Sequence, residues 1–427
     1  MSYSSDSRET AAIERRKNRR IKELVPEDVP VRSDGEKPQF IIIAGQQAAG
    51  KTTTQKNVIS ALGEEPVATY DGDDNAKIHP RHDEIMRTNG LQGQSAVGQR
   101  LPPGLHEELI GHLRGDMGGP KYDVVASHPF GRKEHADYWL DGFRNRGYET
   151  TAVFVATHES NSMLGIAHRY QQDRDDPTKE YGRWVDPRLH DSAYANNPHV
   201  AHYLESTGKV DHIYVANRDG EVLYENHRNP DGSMQNDLGA REAITDERNR
   251  APTPQEIARF DSTVAYMRST DPAVRTEPVD DTVKMTVDYA EQDHQDLRRK
   301  GVAPSASGPN RSIGAALQEQ LQDSTVAAEP AKTGEVSGVA RLAQSGQTPS
   351  GASKVARLAQ SGQAPSATGT SRVARLAQSG QASSGLSRAA RLAQSGILPA
   401  GAGSQNTGST REPVSDTPDG GDHDIER

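Results

Sequence analysis

Gly45-Gln46-Gln47-Ala48-Ala49-Gly50-Lys51-Thr52 has the spacing G-x-x-x-x-G-K-[ST]. Glycines at the two ends let backbone N–H groups face phosphate oxygens with no Cβ in the way, and a helix opening at Lys51 adds its N-terminal partial positive charge. In such a loop Lys51 reaches the β- and γ-phosphates, the Thr52 hydroxyl ligates Mg²⁺, and Thr53 follows within the first turn. A chance glycine-rich turn would lack the context found here, where Phe40-Ile41-Ile42-Ile43-Ala44 supplies an apolar strand before the loop.

Two further groups could act on a phosphate held there. Tyr70-Asp71-Gly72-Asp73-Asp74 follows the next apolar run, with His79-Pro80 beyond it. Carboxylates at the C-terminal end of a strand lie over the crevice of an α/β sheet. One of them can orient Mg²⁺ through water, and another can take the proton of an acceptor hydroxyl. The bland alternative is an ordinary acidic turn. Arg169 and Arg183 then offer the cations that a loose phosphoryl-transfer transition state needs; singly, each reads as a surface residue. No Asn-Lys-x-Asp element that would read guanine is present.

The elements that must position these groups alternate. Apolar runs at 40–44, 67–70, 122–126 and 151–156 read as buried strands, separated by helices at about 51–62, 105–116, 134–146, 159–174 and 187–206. That order predicts an α/β fold of the P-loop NTPase/kinase kind, a parallel sheet flanked by helices. Val210–Val215, the turn Asn217-Arg218-Asp219-Gly220 and Glu221–Tyr224 read as a closing hairpin. The predicted organisation is a basic N-terminal helix and linker (1–35), a phosphate-binding domain (36–228), a polar helical extension (229–300) and a disordered tail (301–427). The extension carries two predicted helices, one opening on a capping box at Thr253–Glu256. The basic helix, Thr10 to Leu24, reads as a solvated face or as a contact for an acidic partner.

Composition supports that division. The chain has 427 residues and a net charge of −10, with 33% hydrophobic and 5% aromatic residues, and nothing after Tyr289 is Phe, Tyr or Trp. The last third therefore cannot build an ordinary core. It repeats Val-Ala-Arg-Leu-Ala-Gln-Ser-Gly from Val339, Val355 and Val373, with a variant from Ala389. These copies read as a disordered, weakly cationic array or as multivalent docking segments of unknown ligand. The absence of cysteine excludes disulfides, thiolate metal sites and a cysteine nucleophile. No apolar run reaches a membrane span and no signal core opens the sequence, so a cytoplasmic location is expected.

Taken together, residues 36–226 resemble the zeta toxin family, P-loop kinases of toxin–antitoxin systems that phosphorylate the 3′-hydroxyl of UDP-N-acetylglucosamine. The resemblance rests on the loop 45–52, Asp71-Gly72-Asp73 with His79-Pro80, Gly147-Tyr148-Glu149, and Asn161-Ser162-Met163-Leu164-Gly165. It continues through Arg169-Tyr170, Asp175-Asp176-Pro177, Arg183, His190-Asp191 and 214–220. It implies ATP and Mg²⁺ as cofactors, Asp73 as general base, and Arg169 with Arg183 as a clamp on the transferring phosphate. A nucleotide-sugar acceptor and an antitoxin partner are implied as well. Asp71, Ser127 and His128 would face the acceptor. The chain departs from the family where Ala126-Ser127-His128-Pro129-Phe130 stands in place of a segment with a substrate-holding Glu. It departs again where Gln47-Ala48-Ala49 replaces a commoner Pro-Gly-Ser or Pro-Gly-Ala. Two other readings stay open: a P-loop kinase for another small hydroxylated metabolite or antibiotic, and an ATP-binding scaffold acting through its repeats. A pure binder, however, needs no base beside Lys51.

Overall fold

A computed structural model describes residues 7–33, 35–303 and 311–328. The four repeats lie outside the described residues. Six strands form one sheet: β1 (Gln39–Ala44), β2 (Ala68–Asp71), β3 (Val124–His128), β4 (Glu149–Val155), β5 (His212–Ala216) and β6 (Val222–His227). Their spatial order is β2-β3-β1-β4-β5-β6. The first five are parallel and β6 closes the edge antiparallel to β5.

The unbroken apolar runs have a direct cause, since the central strands are covered on both faces. Phe40, Ile42 and Ala44 point into one core with Trp139, Leu140 and Phe143. Ile41 and Ile43 point into the other with Val58 and Tyr214. The Phe40 and Phe143 rings stack at 3.7 Å. Covering helices are α2 (Lys51–Ala61), α3 (His82–Asn89), α4 (Gly93–Gly98), α5 (Leu105–Leu113), α6 (Lys133–Arg144), α7 (Glu159–Asp175) and α8 (Pro187–Thr207). Because β1 has β3 on one side and β4 on the other, successive crossovers diverge at its C-terminal end. That end is the crevice such sheets offer to ligands.

The basic helix forms as expected, as α1 (Ser7–Leu24), but its cations are not simply solvated. Arg16 donates to the carbonyls of Lys77 and His79 at 3.1 and 3.0 Å, and Arg20 reaches Asn75 Oδ1 and the Asp71 carbonyl at 3.4 and 3.3 Å. Lys17 pairs with Glu108 at 2.8 Å. The turn 72–78 carries uncovered backbone carbonyls, and α1 supplies their donors.

Residues 229–300 hold three helices where the sequence predicts two: α9 (Ala240–Asn249), α10 (Pro254–Arg268) and α11 (Asp281–Lys300). The capping box at Thr253 and Glu256 is present. No side chain caps α9 locally; the buried Glu205 carboxylate of α8 accepts from the Gly239 and Ala240 N–H groups instead, at 3.4 and 3.1 Å. Phe260, Val264, Val283 and Val287 pack with Met163, Ala167 and Tyr170 of α7. The buried Asp175 carboxylate pairs with Arg275 and accepts from the Thr276 and Glu277 N–H groups.

One more helix, α12 (Ile313–Ala328), falls inside the segment read as tail. Ile313, Ala316 and Leu317 are buried against Val58, Ala61 and Tyr214. The segment is too poor in large apolar residues to build a core of its own. It borrows one from α2 and β5. No helix among the described residues is long and apolar enough to cross a membrane.

Candidate active site

The phosphate loop follows β1 directly, and its conformation explains its residues. Gly45 and Gly50 have φ of 149° and 114°. A Cβ on Gly45 would come within 3.1 Å of the Val155 carbonyl, and one on Gly50 within 3.1 Å of the Arg218 side chain. Ala48 adopts φ 58° without being glycine, a conformation that costs about 1–2 kcal/mol. Its methyl group has room because α7 offers Gly165 there, where a Cβ would stand only 3.1 Å away.

Buried polar contacts fix the loop from behind. Gln46 is fully buried. Its amide donates to the Thr157 carbonyl at 2.7 Å and its oxygen accepts from Arg248 of α9 at 3.1 Å. The Thr157 hydroxyl donates to the Ala49 carbonyl at 2.8 Å. Arg248 also lies over the Tyr194 ring at 4.0 Å.

Lys51 folds back over the loop and donates to the Gly45 and Gln46 carbonyls at 2.7 and 3.0 Å. Burial lowers its pKa to about 8, against the opposing pull of Asp73 and Asp71. Thr52 and Thr53 are exposed in the first turn of α2.

The strand ends bring the remaining residues to the same crevice. Asp71 stands beside Ser127 in the β2–β3 register, and His128 beside Ala44 in the β3–β1 register. Asp71 accepts from the Asp73 N–H at 3.0 Å and so opens the turn that presents Asp73. Burial raises the Asp71 pKa, and the neighbouring Asp73 raises it further. A site that disfavours its own carboxylate charge suits a cation. The hard-oxygen donors Thr52 and Asp71, too few for a cage, fit Mg²⁺ shared with phosphates; no cluster of three or more acidic, His or Cys ligands occurs among the described residues.

Arg183, in the link between α7 and α8, approaches Asp73 at 3.6 Å. Arg169, on α7, has its Nε buried without a partner. Burial lowers its pKa first and Arg183 second, while Asp73 and Asp71 act the other way. His128 is neutral: burial drives its pKa down to about 3, helped by His135 and Lys51. Its Nδ1 accepts from the Phe130 N–H at 3.1 Å, which leaves Nε2–H as a donor. Asp71, Ser127 and His128 thus stand at the C-terminal ends of β2 and β3, next to the end of β1 from which the phosphate loop departs, with Asp73 and Arg183 facing each other beside them.

Residues 23–229 match the sequence profile of the zeta toxin family. This segment is a zeta toxin domain. The match spans slightly under half the chain. Among curated proteins no sequence is significantly similar. Solved structures similar to the chain include one from the PezAT chromosomal toxin–antitoxin system of Streptococcus pneumoniae. It shows 16% identity and a TM-score of 0.46, covering 70% of this chain and 98% of that one. The AvrRxo1-ORF1:-ORF2 complex follows at 14% identity and a TM-score of 0.37, covering 73% and 86%. The same complex with ATP gives 15% and 0.37, covering 73% and 88%. The domain assignment rests on the profile, not on these overlaps.

Within the zeta toxin domain, Thr157 and Arg218 contact the phosphate loop at Ala49 and Gly50; in the sequence Arg218 stands out only as part of the turn 217–220 and Thr157 not at all. Arg248 lies beyond the domain altogether. Its contact with Gln46 joins residues 202 positions apart, a separation that local patterns do not encode.

Lys51 gives the zeta toxin domain a pH signature. Bound phosphate would favour the ammonium form, so ATP affinity is expected to weaken as pH rises from about 8 to 9.5, with proton uptake on binding in that window. Calorimetry in buffers of different ionisation enthalpy measures this uptake, and Lys51→Met should remove it. In the ligand-free protein the sign reverses. Between pH 8 and the ordinary value of 10.5 the unfolded chain holds a proton that the folded one has released, so Lys51 contributes rising stability with pH there.

Proposed function

We propose that this chain transfers the γ-phosphoryl group of ATP to the 3′-hydroxyl of the sugar of UDP-N-acetylglucosamine. The observation that carries the reading is the convergence of Asp73, Lys51, Arg169 and Arg183 on one crevice: a carboxylate able to take a proton, among cations that lack a full set of partners. The choice of acceptor rests on the zeta toxin resemblance.

In this mechanism the loop N–H groups of 45–53 and the Lys51 ammonium hold the β- and γ-phosphates. Lys51 leaves its loop carbonyls to do so. Thr52, with Asp71 nearby, would hold Mg²⁺, which neutralises charge between the β- and γ-phosphates when bound. Asp73 accepts the proton of the attacking hydroxyl, and Arg169 and Arg183 take up the charge that spreads over the equatorial oxygens. Ser127 and the Nε2–H of His128 face the acceptor, with Asp71 at their side. An antitoxin protein is proposed as partner on the same resemblance, and toxicity would follow from loss of a cell-wall precursor.

A second reading has one observation in its favour. A neutral His128 stands where the family holds a carboxylate, so the pocket can select a different hydroxylated acceptor. Incubation with ATP, Mg²⁺ and UDP-N-acetylglucosamine should add one phosphate to the sugar, detected by mass spectrometry. ATP consumption with the UDP-sugar unmodified would move the assignment to another acceptor. Tight ATP binding with no transfer to any hydroxylated acceptor would leave a binding scaffold.

A further inference from the structure

Arg183 lies in the link between α7 and α8, and three of its neighbours in that link are anchored. Gly182 presses on α7 so closely that a Cβ there would collide with the Tyr170 carbonyl. Trp184 is buried and meets the Tyr170 ring edge-on at 5.5 Å. Because Tyr170 follows Arg169 on α7, these two contacts tie both arginines to one helix. The third anchor is Tyr181. Its hydroxyl donates to Asp83 Oδ1 on α3 at 2.8 Å, and its ring meets the His82 ring edge-on at 5.5 Å.

This third anchor reaches a different part of the site. Ile85 and Met86 of α3 share a small core with Ala76, from the turn that presents Asp73, and Tyr181 packs on that core. Tyr181 therefore joins the segment carrying Arg183 to the segment carrying Asp73, whose side chains approach each other at 3.6 Å. Burial first, and the Asp83 carboxylate second, push the Tyr181 phenol up, so it stays a donor. Hydrogen bonds from His82 and then Tyr181 hold Asp83 below its ordinary value, so it stays an acceptor. The adjacent pair of Glu180 with Arg87 is exposed on both sides and adds little to the connection.

We propose that Tyr181 is a positioning residue for phosphoryl transfer, fixing Arg183 against the transferring phosphate through its hydrogen bond to Asp83. This rests on the reading above of Arg183 as a cation on that phosphate. A guanidinium stabilises developing charge to the extent that its donors already point at it, and a misplacement of about 1 Å can cost a large part of the rate. Gly182 and Trp184 bind the link to α7; Tyr181 sets it relative to the Asp73 side. Tyr181 acts through Arg183 and needs no contact with either substrate.

Tyr181→Phe removes the hydroxyl and keeps the ring in its core, so the full chain should stay folded. Single-turnover transfer from ATP to UDP-N-acetylglucosamine should slow by about tenfold or more, with ATP affinity unchanged. The deciding measurement is a double-mutant cycle with Arg183→Met. Tyr181→Phe should slow the unaltered protein and cost nothing further once Arg183 is gone. Equal losses in the two backgrounds, which a merely structural role would give, overturn the proposal. So does a Tyr181→Phe protein as fast as the unaltered one, or an Arg183→Met protein that transfers normally. If the unaltered protein leaves UDP-N-acetylglucosamine unmodified, the acceptor reading fails by itself. The same four proteins are then titrated with ADP, Mg²⁺ and aluminium fluoride, a mimic of the transferring phosphoryl group that needs no acceptor. Affinity that falls about tenfold with Tyr181→Phe, and falls no further in the Arg183→Met background, supports the assignment. Affinity indifferent to Tyr181 overturns it.

Discussion

Asp73→Asn is expected to lower phosphoryl transfer by about 10²–10⁴-fold and to leave ATP binding nearly intact. The expectation follows from how little else the side chain does. Half of it is exposed, and its one ion pair among the described residues is the 3.6 Å approach of Arg183. The fold of the turn depends on neighbours instead. Asp71 caps it through the Asp73 backbone N–H, Asp74 pairs with Lys77 at 3.0 Å, and the buried Asn75 bonds Tyr70 and His106 at 2.9 and 3.1 Å. Asparagine keeps the shape and loses the proton acceptor, so the melting temperature should hardly move. Single-turnover transfer, ATP titration and a thermal melt on one preparation measure the three quantities. A fully active Asp73→Asn protein would remove Asp73 from the role of base, whatever the acceptor proves to be.

The features legible in the sequence were those set by local constraint. β1 reads as a buried parallel strand because both its faces are covered, and the loop after it reads clearly because only glycine fits at 45 and 50. Asp71 and Asp73 could be placed because a strand's C-terminal end is a fixed location in such a sheet. The features that escaped depend on distant partners. α3 and α4 are short and polar, and they hold because Ile85, Met86 and Val97 share a small core with Ala76. α12 has no aromatic residue, so its order comes from the surface of α2 rather than from itself. Gln46 occupies a position the motif leaves free, yet contacts from Thr157, Ser162 and Arg248 make it one of the most enclosed polar groups in the protein. In the sequence the basic run of α1 reads as a solvated face or a contact for an acidic partner, because spacing shows charge but not the carbonyls that await it.

Arg169→Met is the sharper of the two large expectations, because activity and stability should part. An arginine kept for folding looks like Arg275, which is buried, paired with the equally buried Asp175, and donates to the Tyr266 carbonyl. Removing one partner of such a pair strands the other and destabilises. Arg169 has nothing comparable. No hydrogen bond or ion pair engages its guanidinium among the described residues, its Nε is buried without an acceptor, and burial together with Arg183 disfavours its charge. Methionine fills similar volume without that burden, so Arg169→Met should melt at the same temperature or higher. Its transfer rate should nonetheless fall by about 10³-fold or more, the scale on which an arginine stabilises a transferring phosphoryl group. A protein that is more stable and nearly inactive would mark Arg169 as a group held for the reaction at the expense of the fold. A drop in melting temperature that accounts for the lost activity would make it a structural residue instead, leaving Arg183 and Lys51 as the cations around the phosphate.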